Sequence, residues 1–108
     1  MVLGEGAAII FLEAWEHALE RGAAILGEIV GYGLTTDTGH IARPSVGGQA
    51  AAIQAALRSA NMDASMVDAI NAHATGTQAN DVTETAAIRS VFGARANHIP
   101  ISATKAVR

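Results

Sequence analysis

The chain contains no cysteine, which removes disulfides, thiolate metal sites and a thiol nucleophile from its own chemistry. Aromatic residues make up only 4% of the 108 positions, so any core must be assembled from Ala, Ile, Val and Leu. Charge is low as well: 16% of residues are charged, against about a quarter in ordinary globular domains. A surface this poor in charge is expected to be covered in part by other protein; a small alanine-rich soluble domain is the plain alternative. The formal net charge is −3 and no basic run is present, so successive phosphates could not be neutralised and a nucleic-acid partner is not expected. No apolar stretch reaches the roughly 18 residues of a transmembrane helix. The opening Met1-Val2-Leu3-Gly4-Glu5-Gly6 lacks the basic and apolar regions of a signal peptide, so a cytoplasmic location is expected.

What is present alternates between strand-like and helix-like stretches. Gly6 to Leu12 is a short continuous apolar run, suited to a strand buried on both faces. Glu13 to Arg21 carries helix formers with Trp15, Ala18 and Leu19 at helical spacing, and Gly22 is placed to stop it. Ala23 to Leu34 reads as a second strand, bent or bulged at its glycines and at Glu28. Thr35 to Gly48 is the longest irregular piece, and Gln49 to Ala60 reads as a helix with Ile53, Ala56 and Leu57 on one face. A turn of helix over Ala64 to Asp68 leads to a brief buried strand over Ala69 to Ala72. Asn80 or Asp81 caps a further helix running to about Phe92, ended by Gly93, and Ile99 to Ala103 is a last strand. Without a repeat or a linker, this alternation predicts one layered α/β unit, a mixed sheet with flanking helices.

The chemistry concentrates in Asn71-Ala72-His73-Ala74-Thr75-Gly76-Thr77. His73 follows an apolar segment, where the end of a strand in an α/β sheet opens the backbone to a ligand. Gly76 admits a substrate closely, and Thr75 and Thr77 offer hydroxyls to an amide-rich one. A histidine hydrogen-bonded inside an ordinary turn accounts for the same residues. Asp81 and Glu84, three apart, share a face at the start of a helix. Asp81 there is explained by capping and the helix dipole, while either carboxylate could orient His73 or Lys105 from behind. Lys105 follows the apolar Ile99 to Thr104 segment and emerges at a strand end; it is of interest only if it meets His73. His17 among Glu13, Glu16 and Glu20 reads as a solvated face, His98 as an ordinary loop residue, and His40 beside Arg43 stays ambiguous. No metal-ligand spacing accompanies the carboxylates. No P-loop is present, and Gly4-Glu5-Gly6-Ala7 precedes a strand instead of a helix, unlike a dinucleotide fingerprint.

In order along the chain, Gly4-Glu5-Gly6-Ala7, Asn71-Ala72-His73-Ala74-Thr75-Gly76-Thr77, Asp81-x-x-Glu84 and Ser102-Ala103-Thr104-Lys105 closely resemble the β-ketoacyl-acyl-carrier-protein synthases, the elongating condensing enzymes of the thiolase-like superfamily. The resemblance covers essentially the whole chain. Asp37 to Pro44 and Asn80 to Thr85 look most like the elongation-type enzyme and its nodulation-protein relative. It implies a thiolase-like layered fold, with residues 1–108 as a partial synthase domain from the C-terminal half, incomplete at both ends.

The resemblance further implies an acyltransferase. A cysteine is acylated from an acyl carrier protein, malonyl-carrier protein is decarboxylated, and its carbanion attacks the acyl-enzyme to give a 3-oxoacyl chain. His73 and Lys105 are then the catalytic pair. His73 hydrogen-bonds the thioester carbonyl as enolate charge develops, a role helped by burial that keeps the imidazole neutral. Thr75 and Thr77 bind the pantetheine arm, with Asp81 and Glu84 behind Lys105. No cofactor is implied beyond the phosphopantetheine that carries the substrates, and no metal. The implied partners are the acyl carrier protein, the remainder of the synthase or a complementing chain, and a homodimer mate. The nucleophilic cysteine and second histidine of the family are not among these residues, Ala74 replaces the family's usual glycine, and Ala42 stands where relatives often carry threonine. The chain alone is therefore expected to be inactive and poorly stable. A non-catalytic remnant or a chain-length-factor-like partner subunit is the alternative from another class, and a thiolase acting on coenzyme A esters a third.

Overall fold

The computed structural model describes residues 5–39 and 43–104. His40, Ala42 and Lys105, singled out above, lie outside the described residues.

The first helix, α1 (Trp15–Glu20), is too short to persist on propensity alone, and a side-chain cluster and a backbone closure hold it. The Glu13 carboxylate accepts Arg21 Nε at 2.8 Å and Nη2 at 2.6 Å, and His17 Nδ1 lies 2.6 Å from it. The Arg21 guanidinium holds that carboxyl below the usual carboxylate range. At the other end Gly22 turns left-handed (φ +64°). Its N–H returns to Leu19 O at 3.0 Å, and the Ala23 N–H to Ala18 O at 2.9 Å, a Schellman closure. The sequence expectation of a helix stopped at Gly22 is met.

Helix α2 (Val46–Ser59) begins three residues earlier than the apolar pattern suggests. Ser45 Oγ accepts the Gly48 N–H at 2.9 Å, while the Ser45 N–H is itself taken by Asp37 Oδ2 at 2.6 Å. Those bonds satisfy a helix start that the paired Gly47 and Gly48 would otherwise weaken. Asn61, with φ +52°, closes the far end, its N–H on Arg58 O and the Met62 N–H on Leu57 O. The strand expected over Ala23 to Leu34 joins no ladder among the described residues, and it is Gly31 and Gly33 that lie against α2. Ala23, Ile25, Gly31 and Gly33 are half-buried, whereas Leu26, Ile29, Tyr32 and Leu34 are exposed. A Cβ on Gly31 would sit 2.6 Å from Ala60 N and 2.7 Å from Ala56 O, and one on Gly33 would overlap the Ala52 carbonyl. Gly31 and Gly33, which look like bulge signals in the sequence, let backbone lie directly against an alanine helix.

After a 3-10 turn at Ala64–Met66 come β1 (Ile70–Asn71), α3 (Gln78–Phe92), a second 3-10 turn at Gly93–Asn97 and β2 (Ile101–Ser102). The strands pair in parallel with Ile70 opposite Ile101 and Asn71 opposite Ser102, so α3 is the crossover of a βαβ unit. Pro100, which has no N–H to give, contributes its carbonyl to Ile70 N at 3.0 Å. Ile88, Phe92 and Ile99 form the buried core, with Ile53 of α2, Val67 and Ile70 packed on it. Among the described residues this pair is the only ladder. The strand expected over Gly6 to Leu12, buried on both faces, does not form within the described residues: the segment joins no ladder, and Ile9 and Phe11 are more than nine-tenths exposed, at 95% and 91%. No described helix is long and apolar enough to cross a membrane.

Candidate functional site

The site is built where β1 ends. Ala72 is buried and donates its N–H to Ser102 O at 2.8 Å, which fixes the chain to β2 immediately before His73. The next two N–H groups leave the sheet and point at α3. Glu84 takes both: His73 N–H donates to Oε1 at 2.7 Å and Ala74 N–H to Oε2 at 2.8 Å. One carboxylate thus replaces the ladder with two short charge-assisted bonds and fixes where His73 leaves the backbone. Burial pushes the Glu84 carboxyl up, but the N–H groups of Ala74 and His73, the Asn80 amide and the charge of His73 outweigh it and hold the carboxyl below its ordinary value.

The turn is tight. Ala74 adopts φ +34° and Gly76 φ +75°, two left-handed residues within three positions. Left-handed backbone is open to glycine and costs a residue with a Cβ about 1 kcal/mol or more. Ala74, where the resemblance implies a glycine, therefore carries backbone strain. Ala74→Gly is expected to raise stability by about 0.5–1 kcal/mol, read as a higher denaturation midpoint. An unchanged or lower midpoint would show that Ala74 is not strained.

Thr77 is the N-cap of α3, with its Oγ1 accepting the Asn80 N–H at 3.3 Å. The expectation that Asn80 or Asp81 caps this helix is corrected: both lie inside the first turn, because the hydroxyl of Thr77 already meets the orphan N–H. The Thr75 and Thr77 hydroxyls are 2.9 Å apart, both residues exposed, so they present one paired polar edge. Asp81, in the first turn, accepts the Asn80 amide at 3.3 Å. A cleft of about 340 Å³ lies between Ala72 and Ala74, the Asp81–Glu84 side of α3, Arg89 and Ile101. His73 does not line it, and His73 is exposed in this chain, so the burial that the resemblance implies is not supplied here.

The structure therefore joins His73, Thr75, Thr77, Asp81 and Glu84 in one loop-and-helix corner, with Lys105 outside the described residues. Sequence reasoning missed Asn80, which is buried (8% exposed) and binds Glu84 Oε2 through Nδ2 at 3.1 Å. Its only advance signal is the four-residue spacing of Asn80 and Glu84 on a helix. His17 and His98 are exposed and distant in sequence from this corner, as expected of ordinary surface residues. Among the described residues no group of three or more His, Asp or Glu side chains converges to hold a metal ion.

Residues 26–107 match the family described as Beta-ketoacyl synthase, C-terminal domain. Nodulation protein E of Rhizobium meliloti is 51% identical over 105 residues, covering 97% of this chain and 26% of that protein. The 3-oxoacyl-[acyl-carrier-protein] synthase 2 of Synechocystis is 49% identical over 108 residues, 98% of this chain and 26% of that protein. Among solved structures, the ishigamide ketosynthase/chain length factor superposes with a TM-score of 0.80 at 45% identity, over 86% of this chain and 23% of that one. The chain spans about a quarter of the length of these relatives. The two-stranded βαβ unit and its flanking segments are thus part of the layered thiolase-like fold of the ketosynthases. Conformation, motif order and similarity agree, and the chain belongs to the β-ketoacyl synthase family, in its C-terminal domain.

Proposed function

We propose that these residues form part of the condensation site of a 3-oxoacyl-acyl-carrier-protein synthase, acting in fatty acid synthesis or in making the acyl chain of a nodulation factor. The observation that carries this reading is the Glu84 latch, which fixes the backbone of His73 and Ala74 at a strand end in the family's motif. His73 donates a hydrogen bond to the malonyl thioester carbonyl. As the carboxylate leaves as carbon dioxide, the electron pair of the broken carbon–carbon bond becomes an enolate stabilised by that hydrogen bond; the enolate carbon then attacks the acyl thioester carbonyl, the C–S bond breaks and the thiolate that carried the acyl group is released. Thr75 and Thr77 hold the pantetheine arm on their paired hydroxyl edge. Lys105 completes the electrostatics. The acyl-bearing thiol comes from residues other than these, since the chain has no cysteine. The rest of the synthase, or a complementing chain, covers the apolar sides of residues 6–12 and 23–34. The cytoplasm is the compartment that suits carrier-protein substrates.

A second reading has support of its own: a similar solved structure is described as a ketosynthase together with a chain length factor. A subunit of that second kind would pair with a condensing partner without condensing.

The experiment places these 108 residues in the frame of a 3-oxoacyl synthase, replacing its matching quarter, and follows condensation of malonyl- and acyl-carrier protein. Turnover is expected, and His73→Ala should lower it about 100-fold, or about 3 kcal/mol, the usual cost of one oxyanion donor. A folded chimera without turnover would favour the pairing subunit. The 108-residue chain alone should show none.

A further inference from the structure

Glu84 latches the His73 loop only if its two oxygens are themselves aimed, and the aim comes from a buried amide. Asn80 is the third residue of α3, the position from which a longer Glu or Gln side chain would reach back to the cap residue. Its side chain runs sideways instead. Asn80 Nδ2 donates to Glu84 Oε2 at 3.1 Å and stands 3.3 Å from Asp81 Oδ1, so one amide group bridges two carboxylates that would otherwise repel. That demand fixes which way the Asn80 amide faces: its nitrogen must meet the carboxylates, and its oxygen must face α2. There Gln49 Nε2 reaches Asn80 Oδ1 at 3.5 Å. Gln49 is in turn obliged to present its nitrogen, and its Oε1 is buried with no hydrogen-bond partner among the described residues. A buried acceptor without a partner is costly and uncommon. Turning the Gln49 amide over would remove its donor from Asn80, so the orphan oxygen is the consequence of holding Asn80 in one orientation.

We propose that Asn80 is a positioning residue for condensation, aiming the Glu84 carboxylate that fixes the backbone of His73 and Ala74, with Gln49 anchoring the relay to α2. This rests on the condensing role proposed for His73. The charged groups around Glu84 are His73 from the loop and Asp81 and Arg89 along α3; the residues that α2 and β2 bring nearby, Gln49 and Ile101, are uncharged.

Two substitutions give opposite pH signatures. Asn80→Ala removes a donor to the ionised Glu84, so the latch protonates more easily. Turnover relative to the unsubstituted protein should fall as pH drops, with the acid limb of kcat moved up by about half a pH unit or more. Asn80→Asp is nearly isosteric. Its acid form can still donate to Glu84, whereas its ionised form repels it, so the deficit should grow as pH rises. In both, kcat should drop about 10-fold at the unfavourable end with KM within about twofold, as for loss of an orientation that substrate binding does not need. The assays use the full synthase carrying these residues. Hydrogen exchange of the 71–77 segment is followed in parallel across the same pH range, with faster exchange expected wherever turnover is lost. That second measurement separates the two claims. If the unsubstituted synthase does not condense, the condensing role fails, yet exchange still reports whether Asn80 aims the latch. Exchange unchanged in both variants, or a uniform loss without pH dependence, would overturn the positioning role.

Discussion

Glu84→Ala is expected to free the 71–77 loop and to lower condensation by at least 100-fold in the full synthase. The carboxylate accepts two backbone N–H groups at 2.7 and 2.8 Å and the Asn80 amide at 3.1 Å. Net contributions of hydrogen bonds to a charged group run at about 1.5–3 kcal/mol each. His73 and its neighbours are exposed enough for water to replace part of that, so about 3 kcal/mol of loop anchoring is a reasonable expectation for the alanine variant. Loss of anchoring turns directly into loss of aim, because an imidazole displaced by about an ångström from a carbonyl oxygen no longer stabilises developing charge. The pH dependence has a definite sign. The Glu84 carboxyl lies below its ordinary value in the folded state, so its contribution is fully present above pH 4.5 and is lost as pH falls through the folded value. The unsubstituted protein should therefore lose protection of the His73 and Ala74 amides only below pH 4.5, whereas Glu84→Ala should show fast exchange there at neutral pH. Protection that survives the alanine substitution would mean that the loop is held by something other than this carboxylate.

The latch also marks the limit of what the residues disclose. Asp81 and Glu84 share a helix face by spacing alone, and that much is legible. Which of them turns back to the strand end is not, because it depends on how β1 enters the crossover. Only the parallel pairing of Ile70 with Ile101 sets that entry, and it brings together positions far apart in sequence. The same distinction separates the helices. Gly22 ends α1 as its local chemistry dictates, since a left-handed C′ residue is a choice made within one turn. The start of α2 depends on Asp37 reaching Ser45 across eight positions, so the apolar pattern places it three residues late. Thr77 outcompetes Asn80 as the α3 cap because Asn80 is drawn inward by Glu84, another contact that periodicity cannot show. The apolar runs at 6–12 and 23–34 are a different case. The strands read from them do not form within the described residues, because a run of that kind says only that both sides want cover and a ladder needs a partner strand. Within residues 23–34 only Gly31 and Gly33 are seen to find an alanine helix, and Leu26, Ile29, Tyr32 and Leu34 are left bare.

Phe92→Ala is the substitution expected to cost the most stability. With so few aromatic side chains, the core depends on a handful of contacts, and Phe92 (8% exposed) is the largest of its three buried members. Removing a buried phenyl ring typically costs about 3–5 kcal/mol, from lost transfer free energy and from the cavity left behind. The neighbours here are Ile88, Ile99, Ile53 and Val91, several of them β-branched and stiff at χ1, so they cannot swing inward to refill the space. A value near about 4 kcal/mol is therefore expected, measured as the shift in denaturant midpoint of the full synthase carrying these residues. Val82, on the same helix but 66% exposed, provides the control: Val82→Ala should change stability by less than about 0.5 kcal/mol in solution if that face is solvated. A larger cost at Val82 would show that the rest of the synthase covers this side of α3. The distance effect matters as much as the magnitude. Phe92 and Ile88 sit on the same helix as Glu84, and Ile70 packs against them at the base of the His73 loop. Loosening this core should therefore detach the latch before the chain unfolds, with exchange at 71–77 rising ahead of the global transition. Exchange that tracks global unfolding alone would mean that core and loop form a single cooperative unit.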